Sequence, residues 1–138
     1  MTSALDMAAQ FRALHRPGAP LVLFNIWDAG SAAAVARGGA RAIGTSSWAL
    51  AAAQGLPDGE SLPLDEVLTS AARIVAAVGL PVTVDFEGGF AREAGHITAN
   101  VRRLAELGVA GLNIEDQVVN GPGLYPLDEQ VARLQAAR

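Results

Sequence analysis

Val82-Thr83-Val84-Asp85-Phe86-Glu87-Gly88-Gly89 is the stretch whose reading decides the fold. A short apolar run breaks into two acids and then into glycines, and a helix-like segment closed by Gly79 precedes it. Gly111-Leu112-Asn113-Ile114-Glu115-Asp116 repeats the pattern after Gly108. Buried parallel strands read as unbroken apolar runs, and a parallel α/β sheet carries its active site at the carboxyl ends of its strands. Carboxylates gathered there repel one another unless a cation neutralises them. The arrangement therefore points to a hard divalent ion with oxygen ligands, Mg²⁺ before all others.

Working outward, the same phrase recurs three times: helix, glycine, apolar strand, polar or acidic end, over residues 35–46, 74–87 and 104–116. The spacing predicts strands at 21–26, 42–45, 81–85 and 110–115. Between them it predicts an alanine-rich helix that stops at Gly38-Gly39, a helix over 63–78 opened by Pro63, and another over 97–107. Ser3-Ala4-Leu5-Asp6 has the spacing of a capping box and opens a first helix toward Leu14, and a last helix begins near Leu127. Asp28 reads as the N-cap of the helix at Ser31. Such a βα repeat makes a parallel sheet with helices outside it. Four units are half of an eight-stranded barrel, whose usual length is about 250 residues. A four-stranded open sheet is the other geometry the count allows.

Composition narrows the partners. With 138 residues, 51% of them hydrophobic, and a mean hydropathy of +0.28, the chain has material for one core, so residues 1–138 are expected to form a single domain. A net charge of −4 argues against nucleic acid or an anionic membrane as partner. No stretch is apolar enough to span a bilayer, and the first residues lack the features of a signal peptide, so a cytoplasmic location is expected. All ten basic residues are arginines. Without lysine there is no Schiff base, and without cysteine no thiol nucleophile, thiolate ligand or thiol acid. His15 and His96 remain for proton transfer near neutrality, and both read more readily as surface or capping residues.

Asn25-Ile26-Trp27-Asp28-Ala29-Gly30-Ser31-Ala32, Gly44-Thr45-Ser46-Ser47, Gly55-Leu56-Pro57-Asp58-Gly59, Val84-Asp85-Phe86-Glu87-Gly88-Gly89-Phe90 and Gly111-Leu112-Asn113-Ile114-Glu115-Asp116 follow one another in a definite order. In order and spacing they resemble the phosphoenolpyruvate mutase/isocitrate lyase superfamily, from about Leu21 onward. The chain looks like the amino-terminal half of such a protein, about half of a parallel (β/α) barrel of the TIM type.

The resemblance implies a Mg²⁺ site, with Mn²⁺ as substitute, in which Asp85 is the direct ligand and Asp58, Glu87 and Glu115 hold metal-bound waters. It implies catalytic roles for Asp58, Asp85 and Glu115. It also implies that a substrate carboxylate sits against the backbone of Thr45, Ser46 and Ser47, with Trp48 beside it and the ion at Asp85 chelating the substrate. The activity implied is cleavage or formation of C–C or P–C bonds in small anionic 2-oxo or 2-hydroxy acids through an enolate. Lyase members carry a lysine- and cysteine-containing loop after the strand-four acids, whereas residues 117–124 here offer neither, which places the chain nearer the phosphonomutase-like branch.

Plainer readings of the same residues stay open. Glu115-Asp116 can cap a helix or pair with arginine, Asp58 can be a turn residue, Ser46-Ser47 ordinary loop hydroxyls, and Trp27 and Trp48 core anchors. A second reading of the whole also stays open: a truncated, catalytically inactive remnant, or a carboxylate-binding or interaction module. Four strands alone leave two open edges and an inner face expected to be apolar, so a homo-oligomer is expected.

Overall fold

The structure, a computed structural model, describes residues 4–138. The Ser3 side of the expected capping box lies outside them. Four strands, β1 (Asn25–Ile26), β2 (Ile43–Thr45), β3 (Val82–Asp85) and β4 (Gly111–Asn113), form one sheet in the order β1-β2-β3-β4, and every neighbouring pair is parallel. Six helices accompany them: α1 (Ala4–Leu14), α2 (Ala29–Arg37), α3 (Ser47–Ala53), α4 (Leu64–Ala77), α5 (Ala94–Ala105) and α6 (Leu127–Ala137). When parallel strands pair in sequence order, right-handed crossovers all fall on one side of the sheet. That is the winding of a barrel wall. An open sheet wound in both directions would interrupt the order.

The covered face is the core. Ile26, Ile43, Val82 and Val84 are fully or almost fully buried against Ala32 of α2, Leu68, Ala71 and Ile74 of α4, and Leu104 of α5. Val67, Leu68, Ala71 and Ile74 recur at the spacing that puts them on one stripe of α4, while Asp65 and Glu66 occupy the first turn, where the helix dipole favours negative charge. Leu50, Ala51, Leu62 and Val67 make a smaller cluster beneath α3.

The other face is a different surface from the one expected. The register aligns Asn25, Gly44, Thr83 and Gly111 in one row, with Asp85 and Asn113 above it. This face is small and polar rather than apolar, because period-2 alternation sends the bulky aliphatics of β2 and β3 to the helices. The Phe11 ring of α1 covers part of the row, since a Cβ placed on Gly111 would lie 3.2 Å from it. Exposed apolar residues collect elsewhere, at Val22 and Phe24 beside β1 and at Leu127, Val131 and Leu134 along α6.

Several boundaries differ from expectation, among them the helix expected over 97–107, which runs over Ala94–Ala105. The first strand shrinks from 21–26 to Asn25–Ile26, because an edge strand pairs on one side only. The fourth ends at Asn113, which leaves Glu115 and Asp116 in the following loop. Residues 47–53, among which the spacing assigns no element and only Ser47 reads as a loop residue, form α3, which is capped by the Ser46 hydroxyl accepting from the Ala49 N–H at 3.2 Å and continued by an alanine-rich run. Asp28 is the N-cap of α2, and its carboxylate accepts from the Ser31 N–H at 2.6 Å in a capping box. Among the described residues, no helix is long and apolar enough to cross a membrane.

Candidate active site

Alternation along the end of β3 builds the site. Phe86 points into the helix-side core with 0% exposure, so Asp85 before it faces the opposite way. There three strand ends meet on one carboxylate. Asp85 Oδ2 accepts from the Ser47 N–H at 3.0 Å and from its hydroxyl at 2.7 Å, and Oδ1 accepts from Asn113 Nδ2 at 3.0 Å. The Asp85 N–H donates to Thr45 Oγ1 at 2.9 Å. Ser47 sits at the start of α3, so the unexpected helix is what aims its N–H at Asp85.

The chain beyond Asp85 is strained and tied down. Glu87, Phe90 and, from the loop before α4, Glu60 have φ values of 46°, 54° and 55°, a left-handed region that costs a non-glycine residue about 1–2 kcal/mol. Hydrogen bonds among the three hold them there. Glu87 Oε2 accepts from the Glu60 N–H at 2.6 Å, and Glu60 Oε1 accepts from the Phe90 N–H at 2.7 Å. The Glu87 carbonyl accepts from the Glu115 N–H at 2.8 Å, so the two acidic strand ends are bonded to each other. Gly88 is required for space: a Cβ there would meet Val119 at 2.8 Å and Glu60 Oε1 at 3.0 Å.

Above these bonds lies a cleft of about 530 Å³, lined by Ser47, Asp58, Glu87, Glu115, Gln117 and Asn120 among others. The 117–124 loop reaches across it, with Asn120 Nδ2 donating to the Gly59 carbonyl at 3.2 Å. Burial pushes the Glu87 carboxyl above its ordinary value; the Glu60 N–H opposes this, and the charges of Asp58, Glu60 and Asp85 add to it. Burial raises Glu115 as well, followed by the charges of Asp85, Asp58, Asp116 and Glu60. These acids feel one another across the cleft.

A raised folded-state carboxyl pKa means that the anion is less favourable in the folded protein than in the unfolded chain. The penalty is present above the folded pKa and disappears as pH falls through it toward the ordinary value of 4.5. Metal-free Glu115→Gln protein is therefore expected to be more stable than wild type near pH 7, with the advantage fading as pH approaches about 4.5. Urea unfolding of both proteins across that range checks it, and an advantage that does not change with pH would contradict it.

The expected site residues do not all meet. Asp58, Glu87 and Glu115 line the cleft with Ser47, and Asp85 lies directly behind Ser47. Thr45 is buried and serves Asp85, while Ser46 caps α3 and donates its N–H to the Ile26 carbonyl. Trp48 is 64% exposed and is not among the cleft residues, and Trp27 is exposed too, so neither tryptophan is a core anchor. Among the described residues, no three His, Cys, Asp or Glu side chains stand close enough to ligate one ion directly. Two participants were not foreseen, Asn113 and Glu60. An asparagine inside an apolar strand was the signal for the first, and an acid beside the Asp58-Gly59 turn for the second. His15 bonds the Phe11 carbonyl and His96 lies beside Glu93, both away from the cleft.

A singly wound parallel sheet with its acids at the strand ends defines half of a TIM-type barrel. The sequence profile of the phosphoenolpyruvate phosphomutase family matches residues 11–138, and the chain belongs to that family, corresponding to the amino-terminal portion of phosphoenolpyruvate mutase/isocitrate lyase proteins. It is similar to the crystal structure of a provisionally named phosphonomutase from Burkholderia cenocepacia J2315, with a TM-score of 0.94 and 44% identity over 96% of this chain and 54% of that one. It is 38% identical to 2-methylisocitrate lyase of Escherichia coli K12 over 78% of this chain and 37% of the enzyme. A phosphonopyruvate hydrolase crystallised with oxalate and Mg²⁺ shares the fold, with a TM-score of 0.89 at 21% identity over 95% of this chain and 47% of that one. The chain thus spans about two-fifths to one-half of the length of these proteins.

Proposed function

We propose that this chain carries the metal-binding half of a Mg²⁺-dependent lyase or mutase that acts on C–C or P–C bonds of small 2-oxo or 2-hydroxy acids. One observation carries the reading: Asp85 is held at the meeting point of β2, β3 and β4 while Glu87, Glu115 and Asp58 face one cleft, where burial first and then the charges of Asp58 and Asp85 among others push both Glu87 and Glu115 up. A hydrated hard cation fits that donor set. Mg²⁺ keeps several waters and needs few protein ligands, so carboxylates too far apart to chelate it together can still hold its waters. Asp85 would bind the ion, and Asp58, Glu87 and Glu115 its waters. Bound there, Mg²⁺ supplies Lewis-acid charge to the oxo or hydroxy oxygen of the substrate, favouring the enolate. The oxalate and Mg²⁺ of the phosphonopyruvate hydrolase support this ligand chemistry.

The chain's own residues supply orientation. The Ser47 N–H and hydroxyl, with Asn113 Nδ2, fix the Asp85 carboxylate in one rotamer. Among Thr45, Ser46, Ser47 and Trp48, only Ser47 reaches the cleft, and because both of its donors are engaged by Asp85, the proposal gives it a contact with a substrate carboxylate only when one of those two bonds is exchanged for it. The 117–124 loop offers amide and carbonyl groups but no thiol or amine for proton transfer. Oxaloacetate and phosphonopyruvate are therefore the substrates to assay, with 2-methylisocitrate expected to react poorly. Pyruvate and phosphate formed from phosphonopyruvate and water only when protein and Mg²⁺ are both present, and not by Asp85→Ala, would support the enzyme. Carboxylate binding without turnover would instead favour the binding module. Cytoplasmic location and self-association are parts of the same proposal. The exposed Val22, Phe24, Leu127, Val131 and Leu134 at the two sides of the sheet favour association, and sedimentation is expected to show a species heavier than 14.2 kDa.

A further inference from the structure

Arg133 is 2% exposed, yet its guanidinium is turned toward backbone carbonyls. Nη2 donates to the Gly88 carbonyl, and Nη1 donates to the Ala91 and Arg92 carbonyls at 3.1 and 3.2 Å. Nε donates to Gln130 Oε1 at 3.2 Å, and the guanidinium lies 4.0 Å from the centre of the Tyr125 ring. The other end of the Gln130 amide donates from Nε2 to the Glu115 carbonyl at 3.3 Å. Two residues one helical turn apart on α6 thus grip both acidic strand-end loops and each other. Burying a guanidinium is costly unless its donors are met, and here the fork geometry matches a loop that turns through left-handed Glu87 and Phe90.

We propose that Arg133 and Gln130 are positioning residues that set the separation of Glu87 from Glu115 and thereby the shape of the acidic cleft. This rests on the reading of that cleft as the site, but the clamp has a readout that needs no metal. The amides of Phe90 and Glu115 lie in the clamped loops and bond to Glu60 Oε1 and the Glu87 carbonyl, and the Glu60 amide, from the loop before α4, bonds to the Glu87 carboxylate. Local opening exposes such amides without unfolding the core.

Hydrogen exchange is therefore compared in wild type, Arg133→Lys and Gln130→Glu. Lysine keeps the charge but cannot reach three carbonyls, and its exchange at Glu60, Phe90 and Glu115 is expected to be about tenfold faster, with the β2–β3 ladder unchanged. Glutamate still accepts from Arg133 Nε but cannot donate to the Glu115 carbonyl, so only the Glu115 amide is expected to accelerate. Exchange that rises uniformly, or nowhere, would overturn the clamp. Mg²⁺ affinity of Arg133→Lys is expected to fall about tenfold, as for other residues that orient ligands. A wild type without any Mg²⁺ response would sink the proposed function while leaving the exchange pattern to decide the clamp; Mg²⁺ bound equally by both proteins would overturn the positioning role.

Discussion

Replacing Phe86 by alanine is expected to lower unfolding free energy by about 3–5 kcal/mol, the largest loss from any single truncation near the site. The ring is fully buried in the main core and packs against Phe90, with centroids 5.2 Å apart. Its removal opens a cavity that Val84 and Leu104 cannot fill without leaving their own contacts. Domains of this size have about 5–15 kcal/mol in total, so the variant should be marginal at 37 °C. The consequence extends to the chemistry, because Phe86 is the anchor that makes Asp85 face one way and fixes the backbone on which Glu87 turns. Phe86→Leu, which retains most of the volume, should lose much less. Denaturant titration of the three proteins decides, and a loss below about 1 kcal/mol for alanine would show that the site does not depend on this anchor.

Mg²⁺ at about a hundredfold over its dissociation constant is expected to stabilise the wild-type chain by about 2.7 kcal/mol, and Asp85→Ala is expected to remove almost all of that gain. Asp85 is the one carboxylate held by donors from both neighbouring strand ends, Ser47 at the end of β2 and Asn113 on β4, so no other side chain can take over its position. In the absence of metal the substitution has two opposing effects: it leaves Ser47 and Asn113 without their acceptor, and it removes one of the charges that raise Glu87 and Glu115. Asp85→Asn separates them in part, since it removes the charge and keeps an acceptor oxygen for Ser47, while its NH2 faces the Asn113 amide, which has to turn over to accept from it. Calorimetric melting of all three with and without Mg²⁺ reads the result. A Mg²⁺ response in Asp85→Ala equal to that of wild type would place the ion elsewhere.

The fold was legible because its signals are local. Glycine after helix, apolar run after glycine and acid after apolar run record backbone conformation and burial residue by residue, and they placed β2, β3, α2, α4 and α6 within a few positions. The acids were legible for the same reason, since a charged residue ending a buried run announces a strand end. The core-anchor reading of Trp27 and Trp48 failed because burial of an aromatic depends on what packs over it, and both stand outside the core. The inner face was misread because an apolar run does not say which of its alternating residues points where until register is set, and register put Asn25, Gly44, Thr83 and Gly111 there.

The sequence by itself determined that this is a parallel βα chain with carboxylates at its strand ends and with no lysine amine or cysteine thiol for covalent chemistry. Only the tertiary structure decided which of those carboxylates share a cleft, that Glu60 and Asn113 join them, and that Arg133, forty-five residues from Gly88, holds the loop between. Such contacts join residues far apart in the chain. They depend on distances and directions that exist only once the strands are side by side, and no local preference of the residues encodes them.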